Sequence, residues 1–256
     1  MAKLCKNRGF SLTEVLLAVG ILAVGMMFIA GVFPAAIHLT TIAAERTIAA
    51  IEADEAFAKI EIYTKDNPAG GINFGAGGIE TNHLRDFNDV SEPGVKIDPC
   101  EFTYPSTDVP SEQKQYYWSA LFRWADPNDR LVQVTVFVSR KAGSGLRYPK
   151  DNPDVPYYDW PTPVKVSVSS GSNANELRIT GINDEKRFIN DGYTIAHDKT
   201  GQLYRVLERY KGSNDDTILL DRGWQGGSSG SVWVVPPPVG GGRCPCITVY
   251  QKVIRF

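Results

Sequence analysis

The sequence of 256 residues predicts an α+β fold: a long N-terminal helix packed on an antiparallel β-sheet head, with an added C-terminal all-β module. Three observations carry this. An apolar run from Phe10 to Phe33 passes into an amphipathic pattern that lasts to about Tyr63. From Tyr116 to Val138 side chains alternate on either side of one turn. Beyond Tyr148, short β-like runs recur between Gly, Asn and Asp turns. The expected divisions are a basic leader over 1–9, a helix over 10–64 with a membrane-spanning part over 10–33, an α+β head over 65–148 and a β-rich module over 149–256. Formal charge is −2, with 27 basic against 29 acidic residues, so there is no basic excess and no direct nucleic-acid partner is expected.

The first element is long enough to cross a bilayer. It holds about 24 residues, and roughly 20 in a helix cover a hydrocarbon core of about 30 Å. Lys3, Lys6 and Arg8 precede it with no acidic residue, which by the positive-inside rule keeps the leader cytoplasmic and the body outside. The carboxylate of Glu14 interrupts the apolar run. A secretory signal has a shorter apolar core of about 7–15 residues, although Pro34-Ala35-Ala36 imitates a cleavage region. A plain anchor explains the length and flanks, but leaves Glu14 at a cost of about 1–3 kcal/mol with nothing in return. A cut between Gly9 and Phe10 gives the carboxylate a partner. The new amino terminus lies four residues before Glu14, one helical turn away. Paired between neighbouring chains in low dielectric, that amine and carboxylate select both register and partner.

Lys6-Asn7-Arg8-Gly9 followed by Phe10-Ser11-Leu12-Thr13-Glu14-Val15 and a long apolar helix resembles the class III signal of type IV pilins and type II secretion pseudopilins. The resemblance covers about the first 60 residues and implies cleavage after Gly9 by prepilin peptidase, N-methylation of Phe10 by the same enzyme, and an assembly role for Glu14. Thr13 stands where many relatives carry Ile. The stretch Gly20 to Gly25 followed by Met26-Met27 is similar to minor subunits more than to major ones, and small residues such as Ala18, Gly20, Ala23 and Gly25 let helices approach closely in lipid. The implied partners are other pilin or pseudopilin subunits, prepilin peptidase, the inner-membrane assembly platform and membrane lipid. The implied location is the inner membrane, single-pass with the head periplasmic, and then a filament.

Past Pro34, which removes a helix hydrogen bond and predicts a kink, Ile37, Ile42, Ala49, Ala53, Phe57 and Ile60 recur at helical spacing. Glu45, Arg46, Glu52, Asp54, Glu55 and Lys59 read as the polar face. Asn67 to Gly78 is Gly-rich but neither follows a strand nor opens a helix, so it reads as a connecting loop and not a phosphate cradle. Tyr116, Trp118, Ala120, Phe122 and Trp124 share one face, Asp126 to Asp129 make a turn, and Val132, Val134, Val136 and Val138 continue that face on the return. This hairpin is expected to pack on the helix.

A Pro-rich stretch over 148–163 marks a boundary. Strands are then expected over 164–169, 176–180, 193–196, 202–208, 217–220, 232–235 and 247–256, closing into a small sandwich or barrel. Gly226-Gly227-Ser228-Ser229-Gly230 meets the G-x-S-x-G pattern, but that elbow needs a helix after it, and Val232-Trp233-Val234-Val235 is β-like. His38, His83 and His197 are scattered in sequence, so no triad or zinc site is drawn. Asp184, Asp198, Asp215 and Asp216 lie in turns that read as solvated rather than as calcium ligands. With Cys5 in the leader, Cys100, Cys244 and Cys246 remain for an oxidising exterior. Cys244-Pro245-Cys246 is too short and stiff for an easy internal bridge, so Cys100 paired with one of them is the candidate disulfide. No enzyme, cofactor or metal is expected. The sequence thus points to a filament subunit, with a membrane-tethered binding protein, whose β module recognises a surface carbohydrate or protein, as the alternative.

Overall fold

The structure, a computed structural model, describes residues 11–65, 79–87, 99–105, 110, 114–141, 143, 145–150, 157–181, 185–210 and 216–255. The chain divides into two units, 1–47 and 48–256.

Helix α1, Leu12–Lys65, is one 54-residue element that runs through Pro34 without a break. In the first unit its apolar side chains other than Ile42 are exposed, Leu12 and Met27 by more than three quarters, and Ile37 is exposed too. α1 is the one helix among the described residues that is long and apolar enough to cross a membrane.

In the second unit the helix has a buried stripe of Ala49, Ala53, Ala56, Phe57 and Ile60. It packs on a five-stranded sheet. β1 (Arg85–Asp86) and β2 (Thr103–Tyr104) are short and both pair with β3 (Tyr116–Asp126). β3 forms a hairpin with β4 (Leu131–Arg140), in which Trp118 opposes Val138 and Phe122 opposes Val134. The turn closes with Arg130 at φ 52°, the left-handed conformation that a tight connection requires of one residue. As the alternation predicts, Trp118, Ala120, Phe122, Val132, Val134, Val136 and Val138 share a core with the helix stripe. Phe87 and Phe102 add an aromatic cluster, with Phe102 and Trp118 ring centroids 4.8 Å apart.

Two findings go beyond that pattern. Glu52, assigned above to the polar face, is fully buried, and neither carboxyl oxygen has a hydrogen-bond partner. The hairpin is also buried on both faces, since Leu121 and Phe137 on the second face pack with Ala196, Trp233 and Val235.

β5 (Tyr148–Pro149) and β6 (Tyr157–Tyr158) form a two-stranded ribbon. β7 (Val164–Ser170), β8 (Glu176–Ile179), β9 (Thr194–His197), β10 (Leu203–Arg209), β11 (Thr217–Leu220) and β12 (Ser229–Val234) close into a barrel in the order β10-β11-β8-β7-β12-β9. Inward Val164, Val166, Val168, Leu177, Ile179, Ile195, Val206, Ile218, Leu220 and Val232 fill it. Each such side chain contributes about 1.5–3 kcal/mol by burial, and closure leaves no strand edge unpaired.

The final strand, β13 (Cys246–Arg255), does not join the barrel. It pairs antiparallel with β4, Val249 opposite Phe137 and Ile254 opposite Val132. Of the residues grouped above as 149–256, β13 thus belongs to the head sheet, and the barrel is an insertion between β4 and β13. Pairing of β13 with β4 bridges more than 100 residues of sequence, which no local pattern reports.

Candidate functional site

The described part of the N-terminal segment begins at Ser11, so Gly9, Phe10 and Cys5 lie outside the described residues. Ser11 caps α1: the Glu14 N–H donates to Ser11 Oγ at 3.2 Å and to the Ser11 carbonyl at 3.0 Å. The Ser11 and Thr13 hydroxyls are 2.9 Å apart. Glu14 thus stands at the third helical position, where a carboxylate also suits the helix dipole, and it is exposed. This capping arrangement fixes where the helix starts and presents Glu14 one turn inside that start.

A second cluster lies where the barrel meets the head sheet. The β9–β10 turn carries Asp198, which is buried, and its carboxylate accepts three hydrogen bonds. Trp233 Nε1 donates to Oδ1 at 2.7 Å, while His83 Nδ1 and Lys165 Nζ lie 2.7 and 2.8 Å from Oδ2. Burial alone raises its pKa, but the bonds from Lys165, His83 and Trp233 more than offset this and hold the carboxyl below its ordinary range. The backbone of the same turn is clamped to the sheet. Arg123 donates to the Lys199 carbonyl at 2.6 Å, Leu84 N–H to the Asp198 carbonyl at 2.9 Å, and Gln251 to the Gly201 carbonyl. Gly201 has φ +67°, and a Cβ there would stand within 3 Å of the Gln133 side chain.

His197 next to it is buried and points away from that node. Its Nδ1 lies 2.7 Å from Thr200 Oγ1, its ring meets Trp224 edge-on at 4.5 Å, and its Nε2 has no hydrogen-bond partner. Burial first, with Lys199 and Arg123 adding to it and Asp198 opposing, pushes its pKa below the usual value, so the ring is neutral near pH 7.

A third feature is an open cavity of about 670 Å³ at one end of the barrel. Its walls are Lys150 and Tyr157 of the β5–β6 ribbon and its flank, Arg187 at the end of the 3-10 turn Glu185–Arg187 and Phe188 after it, Arg209 of β10, and the Pro237 to Gly242 strap. Glu185 is the one carboxylate among the described lining residues.

The comparisons with known proteins bear on the first of these. A family model, the prokaryotic N-terminal methylation motif, matches residues 4–30. The N-terminus is a class III prepilin signal. A signal of the kind read by prepilin peptidase thus runs directly into an apolar helix long enough to cross a membrane. No curated protein and no solved structure matches the chain.

Other candidate residues fall out differently. Cys244 and Cys246 are free thiols, and the Cys100 side chain, the other half of the expected bridge, lies outside the described residues. The two are parted by the geometry of the strap: Cys244 packs with the barrel core and Cys246 with the seam between barrel and sheet. Burial pushes the Cys244 thiol up to about 11 and that of Cys246 higher still, which keeps both protonated. Asp184, Asp215 and the 67–78 loop also lie outside the described residues. Asp198 is not a solvated turn residue but the buried node described above.

Ser228 precedes β12, and His197 does not engage it: its Nδ1 meets Thr200 and its Nε2 makes no hydrogen bond. Gly226 is required there for space, since a Cβ would overlap Trp224 and His197. Sequence reading missed the convergence of His83, Lys165 and Trp233 on Asp198. The available signal was an Asp followed by Lys, Thr and Gly between two β-runs, a tight turn whose side chain is free to bond outward.

Proposed function

We propose that this chain is a structural subunit, and a minor one, of a type IV pilus or type II secretion pseudopilus. It inserts with the leader cytoplasmic and the head periplasmic, is cut between Gly9 and Phe10, is methylated on Phe10, and enters the filament through its N-terminal helix. The observation that carries this is the prepilin signal at residues 4–30 running directly into an apolar helix whose one early carboxylate is Glu14. Cleavage creates a positive amine one turn before Glu14, and an isolated carboxylate in the membrane costs about 1–3 kcal/mol near its edge. An incoming amine removes that cost only when the pair forms between subunits. On this reading the protein is not an enzyme: its work is assembly.

Glu14→Gln keeps size and hydrogen bonding but removes the charge. Cleavage and membrane insertion then persist, while recovery in sheared filaments, or cross-linking to neighbouring subunits at equal membrane abundance, falls at least several-fold. Assembly of E14Q at the wild-type level would contradict the pairing. A second reading, a membrane-tethered binding protein, is favoured by the cavity on the inserted barrel, and both readings hold together if the filament displays that barrel.

A further inference from the structure

The cavity at the barrel end shares only Lys165 with the node at the head sheet, and its chemistry is specific. Its volume of about 670 Å³ lies in the range of small-ligand sites, which run from about 300 to 1,000 Å³. Lys150 and Arg187 at its wall are exposed, and Lys150 Nζ lies 5.0 Å from the Tyr158 ring centroid. Arg209 Nη1, also in the lining, donates to the Asn190 side chain at 3.2 Å and the Ile189 carbonyl at 3.4 Å. Against these cations the described lining offers only Glu185. Tyr157 is 47 % exposed, a flat amphipathic ring on the rim. Gly240 and Gly241 also line it, at φ +96° and +91°, where an added Cβ would meet open space. Bare backbone there can approach a ligand closely.

We propose that this cavity binds an acidic saccharide, a sugar carrying carboxylates, with its ring laid on Tyr157 and its carboxylates met by Lys150 and Arg187. The proposal rests on the binding reading above and names its ligand class. A guanidinium supplies a planar fork that matches a carboxylate, and an aromatic face suits the C–H side of a sugar ring. An acidic peptide is a poorer fit, because peptides commonly bind by adding a strand to an open sheet edge and this barrel is closed.

The test is titration calorimetry of the full-length protein in neutral detergent with trigalacturonate, and with maltotriose as a neutral sugar of similar size. Trigalacturonate should bind at least tenfold more tightly than maltotriose, and more weakly as salt rises. Lys150→Ala and Arg187→Ala, both exposed, should each weaken it about tenfold with unchanged thermal melting, and Tyr157→Ala should weaken it as well. No heat with trigalacturonate, equal affinity for maltotriose, binding that survives both cation substitutions, or tighter binding of a tri-glutamate peptide would each overturn the proposal. Filament incorporation is read separately through Glu14, so failure here leaves the assembly reading standing and failure there leaves this one.

Discussion

Replacing Glu52 by Gln should make the protein markedly more stable at neutral pH. Glu52 is fully buried in the middle of the small-residue stripe Ala49, Ala53 and Ala56, and both its oxygens lack partners. Burial first and the neighbouring Glu55 second, opposed by Lys59, raise its pKa from 4.5 to about 9. The folded state therefore holds a proton that the unfolded state gives up above pH 4.5, and between 4.5 and 9 stability falls as pH rises. At pH 7 the gap of 2.5 units, at about 1.36 kcal/mol per unit, amounts to about 3 kcal/mol. It grows to about 6 kcal/mol near pH 9 and vanishes by about pH 4. Gln has the same shape and no charge to suppress, so E52Q lacks this penalty. With about 2–4 °C per kcal/mol for a body of roughly 200 residues, its melting temperature at pH 7 should rise by about 6–12 °C. Calorimetric melts of wild type and E52Q in detergent at pH 5, 7 and 9 check this. If the two share one pH profile, or if E52Q melts lower at pH 7 and 9, the carboxyl is not buried and protonated as described.

Asp198→Asn should cost about 2–4 kcal/mol at pH 7, since it takes the charge from a buried node that accepts from Trp233, His83 and Lys165. Because the folded carboxyl has a lowered pKa, the wild type loses this contribution as pH falls below the ordinary carboxylate range, so the difference between the two melts should shrink in acid. Val134→Asp should cost about 4 kcal/mol or more, because it places a charge with no partner between β4 and the helix stripe; unchanged melting would mean that this face is not the core.

Much of this architecture is written locally in the sequence. The β3–β4 hairpin follows from strict alternation around Asp126 to Asp129, and the barrel strands from β-branched runs cut by Gly, Asn and Asp. On the proposed reading the Phe10 to Glu14 spacing carries the assembly chemistry, and it is legible because it depends only on neighbours along one helical turn. What escaped the sequence is non-local. Closure of the barrel and return of β13 to β4 depend on pairing between distant segments. The second face of the hairpin carries Ser119, Thr135 and Ser139 among its apolar residues, and nothing in the local pattern shows that the barrel covers it. His83 and Asp198 are 115 residues apart, so their bond leaves no trace in spacing. Glu52 was misread for the opposite reason: charge alone placed it on the surface, whereas its neighbours at the stripe bury it.

The account stands on processing at one peptide bond, and the intact mass of the membrane-extracted protein, with sequencing of its first residues, reads it directly. Expressed with an active prepilin peptidase, the chain should begin at Phe10 and carry one N-methyl group, with Gly9→Leu blocking both changes. A chain that still begins at Met1 under those conditions would contradict the account.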